Sequence, residues 1–389
     1  MGIFQSAPTI DADKLDKRLK EIMDELKILG LSAAIVNKDG SLWEGHYGLA
    51  SIEGSKKMDA HSIYRIASIS KSILATALMQ LYDQEKFQLD DDISDYLGFK
   101  VRNPHYPDTK ITFKHLQTHT SSLQDVYVDF VRASYCDDPP ALTEILLPGG
   151  KFYTDGVWGN YEPGDQDHFL YSNLGSVVVG TLIEKISGER FDAYCKRRIF
   201  IPLRMNETSH NIEEINIPKI AVLYNYDPKT GEYNVSLDSA GKDRPPKIDL
   251  TRYTPGKNGG IFSPQGGVRT NASDLTKFLL AHMNGGILNG VRILKEETVK
   301  LMHSELWHGT PKYSRYRKKG LHFQISDDLL PGKTLIGHSG DAYGMISGLY
   351  FDKDYERGIL FMTNGSNVDP NQQTYTIETK LTEALYNAV

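Results

Sequence analysis

The sequence predicts an α+β fold: one antiparallel sheet assembled from both ends of the chain, with a mainly helical segment inserted between them. Three observations predict it. A helix and a hairpin signal stand near the start, four strand-like runs and a helix stand near the end, and the middle reads as helix and loop. Tight turns between the terminal strands favour antiparallel pairing, since a tight turn cannot make a parallel crossover. The expected division is 1–67 with 262–389 for the sheet domain and 68–261 for the helical one.

Residues 11 to 28 place Leu15, Leu19, Ile22, Met23, Leu26 and Ile28 at helical spacing, with Gly30 as the expected stop. "LSAAIVNKDGSLWEGHYGLAS" then reads as two strands around Lys38-Asp39-Gly40. From Ser68 the period changes. Ile69, Ile73, Leu74, Ala77, Leu78 and Leu81 form a stripe that predicts a helix to about Tyr82. "ITFKHLQTH" and "LGSVVVGTLIEKISG" are further helices, the second closed by Gly188. Between them lies an irregular stretch, 125–165, rich in Tyr, Trp, Asp, Gly and Pro. A helix near Ser273 has Asn271 or Ser273 as its cap. "KGLHFQIS", "KTLIGHSG", "MISGLYFDKD" and "RGILFMTNG" read as strands, and a last helix begins near Gln373.

At 389 residues the chain has length for two domains and a real core. A net charge of −6, with no long basic run, argues against a nucleic-acid surface. Cys136 and Cys195 are the only cysteines, so no disulfide framework is expected and two thiols are the simpler reading. The start, "MGIFQSAPTIDADKLDKRL", shows no basic segment followed by an apolar core, and no apolar run reaches membrane-spanning length. As given, the chain reads as cytoplasmic, or as secreted or periplasmic if a signal segment has been removed. Its compartment and oligomeric state stay open.

Three short stretches carry chemistry-bearing residues. In "YRIASISKSIL", Ser68 and Lys71 share a helical face at i and i+3. A serine hydroxyl is a poor nucleophile until a base takes its proton. Near a helix N-terminus a developing oxyanion is favoured, and the same potential with desolvation pushes a lysine toward its neutral form. Alone, the pair reads as well as an N-cap serine with an exposed lysine. In "YSN", Tyr171 offers a proton-shuttling hydroxyl and Asn173 an amide that both donates and accepts; the plain alternative is a capping Asn beside a packed Tyr. In "GHSGDAYG", Gly340 and its small neighbours let backbone N–H groups approach a ligand, and His338 offers a donor or a partly charged group. That stretch also approaches the G-x-S-x-G elbow, which would make Ser339 the nucleophile. The fifth position is Asp341 and no strand-to-helix turn follows, which counts against it.

The order of the three stretches resembles the serine β-lactamase and penicillin-recognising enzyme superfamily. The likeness is to its class C-like branch of D-aminopeptidases, D-amino acid amidases, DD-carboxypeptidases and family VIII esterases. Y-S-N stands in the second motif's place and H-S-G in the third's. "ITFKHLQTHTSSL", "YEPGDQDHFLYSNLGSVVVGTLIEKISG", "IFIPLRMNETS" and "GGVRTNASDLTKFL" resemble that branch's connecting segments, from about residue 10 to the C-terminus. The resemblance implies a β-lactamase/transpeptidase-like α/β/α sandwich beside an all-helical domain, with the site in the crevice between them. It implies Ser68 as the acylated nucleophile, Lys71 as its base, and Tyr171 as a partner in proton transfer. Asn173 would hold the substrate's acyl-side amide, His338 would flank the substrate, and the N–H groups of Ser68 and Asp341 would form the oxyanion hole. No metal or organic cofactor is implied.

The chain departs from that pattern at Ser122 and Arg204, where relatives carry glycine; both departures are expected to affect turns. Asp341 replaces a small or hydroxylated residue; a carboxylate facing the cleft would favour neutral or amine-bearing substrates, and one turned away would cap a neighbouring turn, two readings the sequence leaves equal. Tyr127, Tyr153, Trp158 and Tyr161 of the 125–165 stretch are expected to wall the pocket and set substrate choice, the plain alternative being a self-packed surface loop. The expected function is a serine hydrolase cleaving a D-amino acid amide or peptide, a small ester or, weakly, a β-lactam. Rival readings are a penicillin-binding sensor that acylates without turnover, an acyltransferase with a non-water acceptor, and an inert interaction scaffold. The expected partner is a small-molecule or peptide substrate.

Overall fold

The computed structural model describes residues 10–309, 318–368 and 376–389. From the N-terminal end come α1 (Ala12–Leu26), β1 (Gly30–Asn37), β2 (Gly40–Ser51) and β3 (Lys56–Lys57). Then follow β4 (Tyr64–Arg65), α2 (Ser70–Asp83), α3 (Phe113–Thr118), α4 (Asn173–Ser187), β5 (Arg269–Thr270) and α5 (Ala272–Met283). The chain closes with β6 (Trp307–His308), β7 (Lys318–Lys319), β8 (Gln324–Ser326), β9 (Leu335–Ala342), β10 (Met345–Asp352), β11 (Arg357–Thr363) and α6 (Thr376–Tyr386). The expected starts of the last helix, near Gln373, and of the chain itself, before Ile10, lie outside the described residues.

Among the described residues the main sheet has nine strands, in the order β6-β7-β8-β9-β10-β11-β1-β2-β3. The two ends of the chain meet where β11 pairs antiparallel with β1, Ile359 opposite Ile35. Both faces of this sheet are covered, so its central strands are buried along almost their whole length rather than alternating with polar residues. Leu31, Ala33 and Ile35 of β1 and Ile359 and Phe361 of β11 point to the layer formed by α1 and α6. Ala34, Val36, Leu360 and Met362 point the other way, to Leu275, Phe278 and Leu279 of α5.

Helix α1 is capped by the Asp11 carboxylate, which accepts from the Lys14 N–H at 3.1 Å. Its buried Leu15, Leu19 and Ile22 each contribute about 2 kcal/mol by leaving water. The helix stops earlier than expected: Lys27 takes the left-handed conformation that ends it, and Gly30 instead opens β1. Helix α2 also differs from expectation. Ser70 through Leu81 are all buried, so it is a central helix enclosed on every side and not one with a single apolar stripe. Helix α4 is similarly enclosed from Leu174 to Glu184, and its Gly188 ends it in the left-handed conformation.

The segment between α4 and β5 also carries a hairpin, Leu223–Asp227 with Glu232–Leu237. Within the 125–165 stretch lie short helices at Val128–Ser134 and Thr143–Leu146. Ser122 and Arg204 have φ of 62° and 55°, the conformation that glycine takes without strain. Cys136 is exposed, Cys195 is buried, and both are free thiols. Among the described residues no helix is long and apolar enough to cross a membrane.

Candidate active site

Ser68 lies on a tight 3-10 turn, Ala67–Ile69, that feeds α2; the helix proper begins two residues later than the sequence pattern indicates. The turn is pinned from outside. Strand β4 pairs with β5, Tyr64 opposite Thr270 and Arg65 opposite Arg269. The Ile66 N–H donates to Val268 O at 3.0 Å, and the Val268 N–H donates to Ser70 Oγ at 3.2 Å. These bonds hold Ala67 at φ 46°, a conformation an alanine adopts only under constraint. Strand β9 closes in on the same turn. A methyl group on Gly340 would lie 2.5 Å from Ile66 O and 3.3 Å from the Ala67 Cβ, so only glycine lets the β9 backbone pass this close to Ser68.

Lys71 sits one turn into α2 and is wholly buried. Its Nζ lies 3.3 Å from Ser68 Oγ, 2.6 Å from Asn173 Oδ1 and 2.8 Å from the Gln265 carbonyl. An ammonium donates to all three. A neutral amine has two N–H bonds for the Asn173 and Gln265 oxygens, which can only accept, and its lone pair is left for the Ser68 hydroxyl. Burial pushes Lys71 down to about 7; the Asp125 carboxylate pulls upward against it, and the Arg65 charge adds a further push downward. The exposed-lysine reading of this motif is thereby overturned.

Asn173 opens α4, and Ser172, not Asn173, is the cap: its Oγ accepts from the Gly175 N–H at 3.0 Å. The Asn173 amide is oriented by Asp125. Nδ2 donates to Asp125 Oδ2 at 2.8 Å, which turns Oδ1 toward Lys71. The same carboxylate accepts from the N–H groups of Asn173 and Leu174 at 3.0 and 2.9 Å and from Ser172 Oγ at 3.2 Å. A carboxylate at a helix N-terminus is favoured by its unpaired N–H groups and its dipole. Asp125 stands in the irregular stretch 48 residues before Asn173, and no local spacing marks it.

Tyr171 joins the cluster through its ring. The ring centroid is 4.7 Å from Lys71 Nζ, 4.5 Å from the His119 ring and 6.2 Å from the His338 ring. His119 Nδ1 accepts from the Ser172 N–H at 3.2 Å and so anchors the Tyr171–Ser172 backbone.

His338 is fully buried, and its Nδ1–H donates to Ser339 O at 2.6 Å. Burial, then the charges of Lys319 and Lys71, hold it well below the ordinary histidine value. Of the two roles expected for it, the donor is the one it fills, and its lowered pKa favours the neutral imidazole. Lys319, wholly buried on β7, lies close enough to lower His119, His322 and His338 alike. Lys319 looks in the sequence like part of an ordinary basic run, "RKKG".

Asp341 is exposed. Alternation along β9 puts its side chain on the face opposite the one Gly340 turns to the Ser68 turn. Of the four aromatics expected to wall the pocket, Tyr127 is close to Asp125, Arg65 and Tyr343. Trp158 is in the core, bridged to Leu123, Tyr153 packs on the same core, and Tyr161 stacks on His168 at 4.8 Å. Among the described residues no cluster of three or more His, Cys, Asp or Glu side chains has the arrangement of a metal site.

Known proteins resemble the chain along most of its length. The beta-lactamase family model matches residues 15–380. Penicillin-binding protein 4* of Bacillus subtilis (strain 168) is 26% identical over 240 residues, 61% of this chain and 48% of that protein. Esterase EstB of Burkholderia gladioli is 30% identical over 211 residues, 52% of this chain and 53% of that protein. The chain spans about half the length of the curated relatives it matches. The D-amino acid amidase from Ochrobactrum anthropi SV3, complexed with D-phenylalanine, has the same fold. It superposes with a TM-score of 0.70 at 21% identity, over 96% of this chain and 99% of that one.

Proposed function

Because the chain belongs to the beta-lactamase family, we propose that it is a serine hydrolase that cleaves ester or amide bonds through an acyl-enzyme on Ser68. The observation that carries this reading is the setting of Lys71: wholly buried, pushed down to about 7, with two pure acceptors on its N–H bonds and Ser68 Oγ at 3.3 Å. A base with a pKa near the working pH is the most effective proton acceptor.

In the proposed reaction Lys71 takes the Ser68 proton as Oγ bonds to the substrate carbonyl carbon. The carbonyl oxygen becomes an oxyanion held by the N–H groups of Ser68 and Asp341. Collapse breaks the bond to the alcohol or amine, which takes its proton from Lys71 through Tyr171 and departs. Water then attacks the acyl carbon, its proton returns to the base, and Ser68 is released with a free acid. Asn173 and His338 border the substrate, and D-amino acid amides, short peptides and small esters are the proposed substrates, with β-lactams weaker. The names of the relatives, a penicillin-binding protein, an esterase and an amidase, fit that range.

Hydrolysis of 4-nitrophenyl acetate by the protein and by Ser68→Ala tests the proposal. Steady release of nitrophenolate that disappears in the variant is the expected result. A burst equal to one enzyme equivalent without turnover would indicate a sensor that acylates and stops. Equal rates in both proteins would overturn the assignment.

A further inference from the structure

The strand pair that seats Ser68 also sets two arginines opposite each other. Arg65 and Arg269 are register partners on β4 and β5. Both line a cavity of about 330 Å³, whose walls include Tyr135, Ile248, Phe262 and Tyr343. Arg269 is only 7% exposed. Its guanidinium reaches Gly267 O at 3.3 Å and Ser239 Oγ at 3.4 Å, both long contacts, and its buried Nε–H has no acceptor. Arg65 places its guanidinium 5.0 Å from the centre of the Tyr343 ring. Among the described residues no carboxylate pairs with either arginine.

The two carboxylates on the cavity wall are engaged elsewhere. Glu213 accepts from Arg244 at 2.9 Å, and Asp243 accepts from the Asp238 N–H at 2.9 Å. Two cations of like sign in a largely apolar cavity, one buried with an unmet donor, oppose folding unless something supplies the counter-charge. Burial and the Arg65 charge push Arg269 down to about 10, the direction expected for a guanidinium lacking an anion.

The cavity adjoins the Ser68 centre through the segments that hold both. Arg65 stands three residues before Ser68, and Gly267 on the cavity wall stands two residues after Gln265, whose carbonyl holds Lys71 at 2.8 Å. The influence of Arg65 also reaches Lys71 itself. A planar guanidinium fork matches a carboxylate with two parallel hydrogen bonds, whereas a neutral or amine-bearing group gains nothing there.

We propose that Arg65 and Arg269 form a carboxylate subsite of the Ser68 centre, so that preferred substrates carry a carboxylate on either the acyl part or the leaving group. This deepens the hydrolase reading and rests on it for the word substrate; the binding of a carboxylate stands without it. It also differs from the neutral or amine-bearing preference that a cleft-facing Asp341 would have given.

The test compares matched esters. Mono-4-nitrophenyl glutarate against 4-nitrophenyl pentanoate places the carboxylate on the acyl side. 4-Acetoxybenzoate against 4-acetoxybenzamide places it on the leaving group. The expected result is a preference of about tenfold or more in kcat/KM for the carboxylate member of one pair, carried mainly by KM. That ratio should collapse toward one in Arg269→Gln and recover in part in Arg269→Lys. Should Arg269→Gln fail to fold, Arg65→Gln reads the same ratio. Ratios near one for both pairs in the wild type, or ratios unmoved by either substitution, would overturn the subsite. If no ester is turned over, the hydrolase reading fails on its own. Calorimetric titration of the wild type with glutarate and with benzoate then decides the subsite. Saturable binding lost in Arg269→Gln supports it, and no binding at millimolar concentration overturns it.

Discussion

Two groups of basic side chains flank Ser68, Lys71 on one side and Arg65 with Arg269 on the other, and the protein treats them differently. Around Lys71 every polar contact is internal: Asn173 Oδ1, the Gln265 carbonyl and Ser68 Oγ surround one nitrogen, with Asp125 fixing the amide that faces it. Around Arg65 and Arg269 the contacts are long or missing, and a cavity takes the place of a partner. The first arrangement positions a proton acceptor and needs no ligand to be complete. The second is complete only when an anion is supplied from outside. Internal satisfaction marks the proton acceptor Lys71, and incomplete satisfaction marks the arginines that recognise.

The largest effect expected breaks the first region. Lys71→Met should lower kcat for 4-nitrophenyl acetate by about 10³-fold or more while leaving the circular dichroism spectrum intact. A methionine has similar bulk but no lone pair to accept the Ser68 proton. Next in size is Gly340→Ala, which attacks the close approach of β9 to the Ser68 turn. Its methyl group would meet Ser347 Oγ at 2.3 Å and Ile66 O at 2.5 Å, so β9 must shift. A fall in kcat of about 10²-fold is expected from misplacing the oxyanion donors, measured with the same ester.

A pair of substitutions contrasts the two regions through the acid limb of the kcat/KM profile. Activity should rise with pH through about 7, because Lys71 acts in its unprotonated form. Asp125 favours the ammonium, so Asp125→Asn should move the limb to lower pH. Arg65 disfavours the ammonium, so Arg65→Gln should move it to higher pH. Shifts in the same direction would mean that both changes act by disturbing the fold and not by charge.

The smallest expected effect lies outside both regions. Arg204 is exposed at φ 55°, and its carbonyl accepts from Lys277 at 2.7 Å, a bond that glycine retains. Arg204→Gly should stabilise the fold by about 1 kcal/mol, read as a rise in Tm of about 2 °C with activity unchanged.

Much of the site was legible because its parts are local. Ser68 and Lys71 meet through one helical turn, and Tyr171 and Asn173 announce themselves at the mouth of α4. The antiparallel sheet was legible for a similar reason: tight turns bring its strands together, and runs such as "RGILFMTNG" are apolar throughout, as a sheet covered on both faces requires. What escaped depends on contacts across long stretches of chain. Asp125 acts on residues 47 to 49 positions away, and Lys319 reaches its neighbours only through the strand order. Arg65 and Arg269 become a pair only when β4 meets β5. Trp158 misled for the opposite reason: its place in an irregular stretch suggested a pocket wall, and only its burial in the main core cluster reveals that it is core. Composition locates an aromatic in a loop but carries no information about which side of the loop it faces.

Activation of Ser68 by Lys71 is tested most directly by measuring acylation itself. Fluorophosphonate labelling would be followed by peptide mass spectrometry across pH 5 to 9, a range of about two units either side of the Lys71 value. The predicted result is an adduct on Ser68 whose rate of formation rises through about pH 7 and becomes very slow in Lys71→Met. An adduct on another residue, or labelling of Ser68 at a rate indifferent to pH and to Lys71, would contradict it.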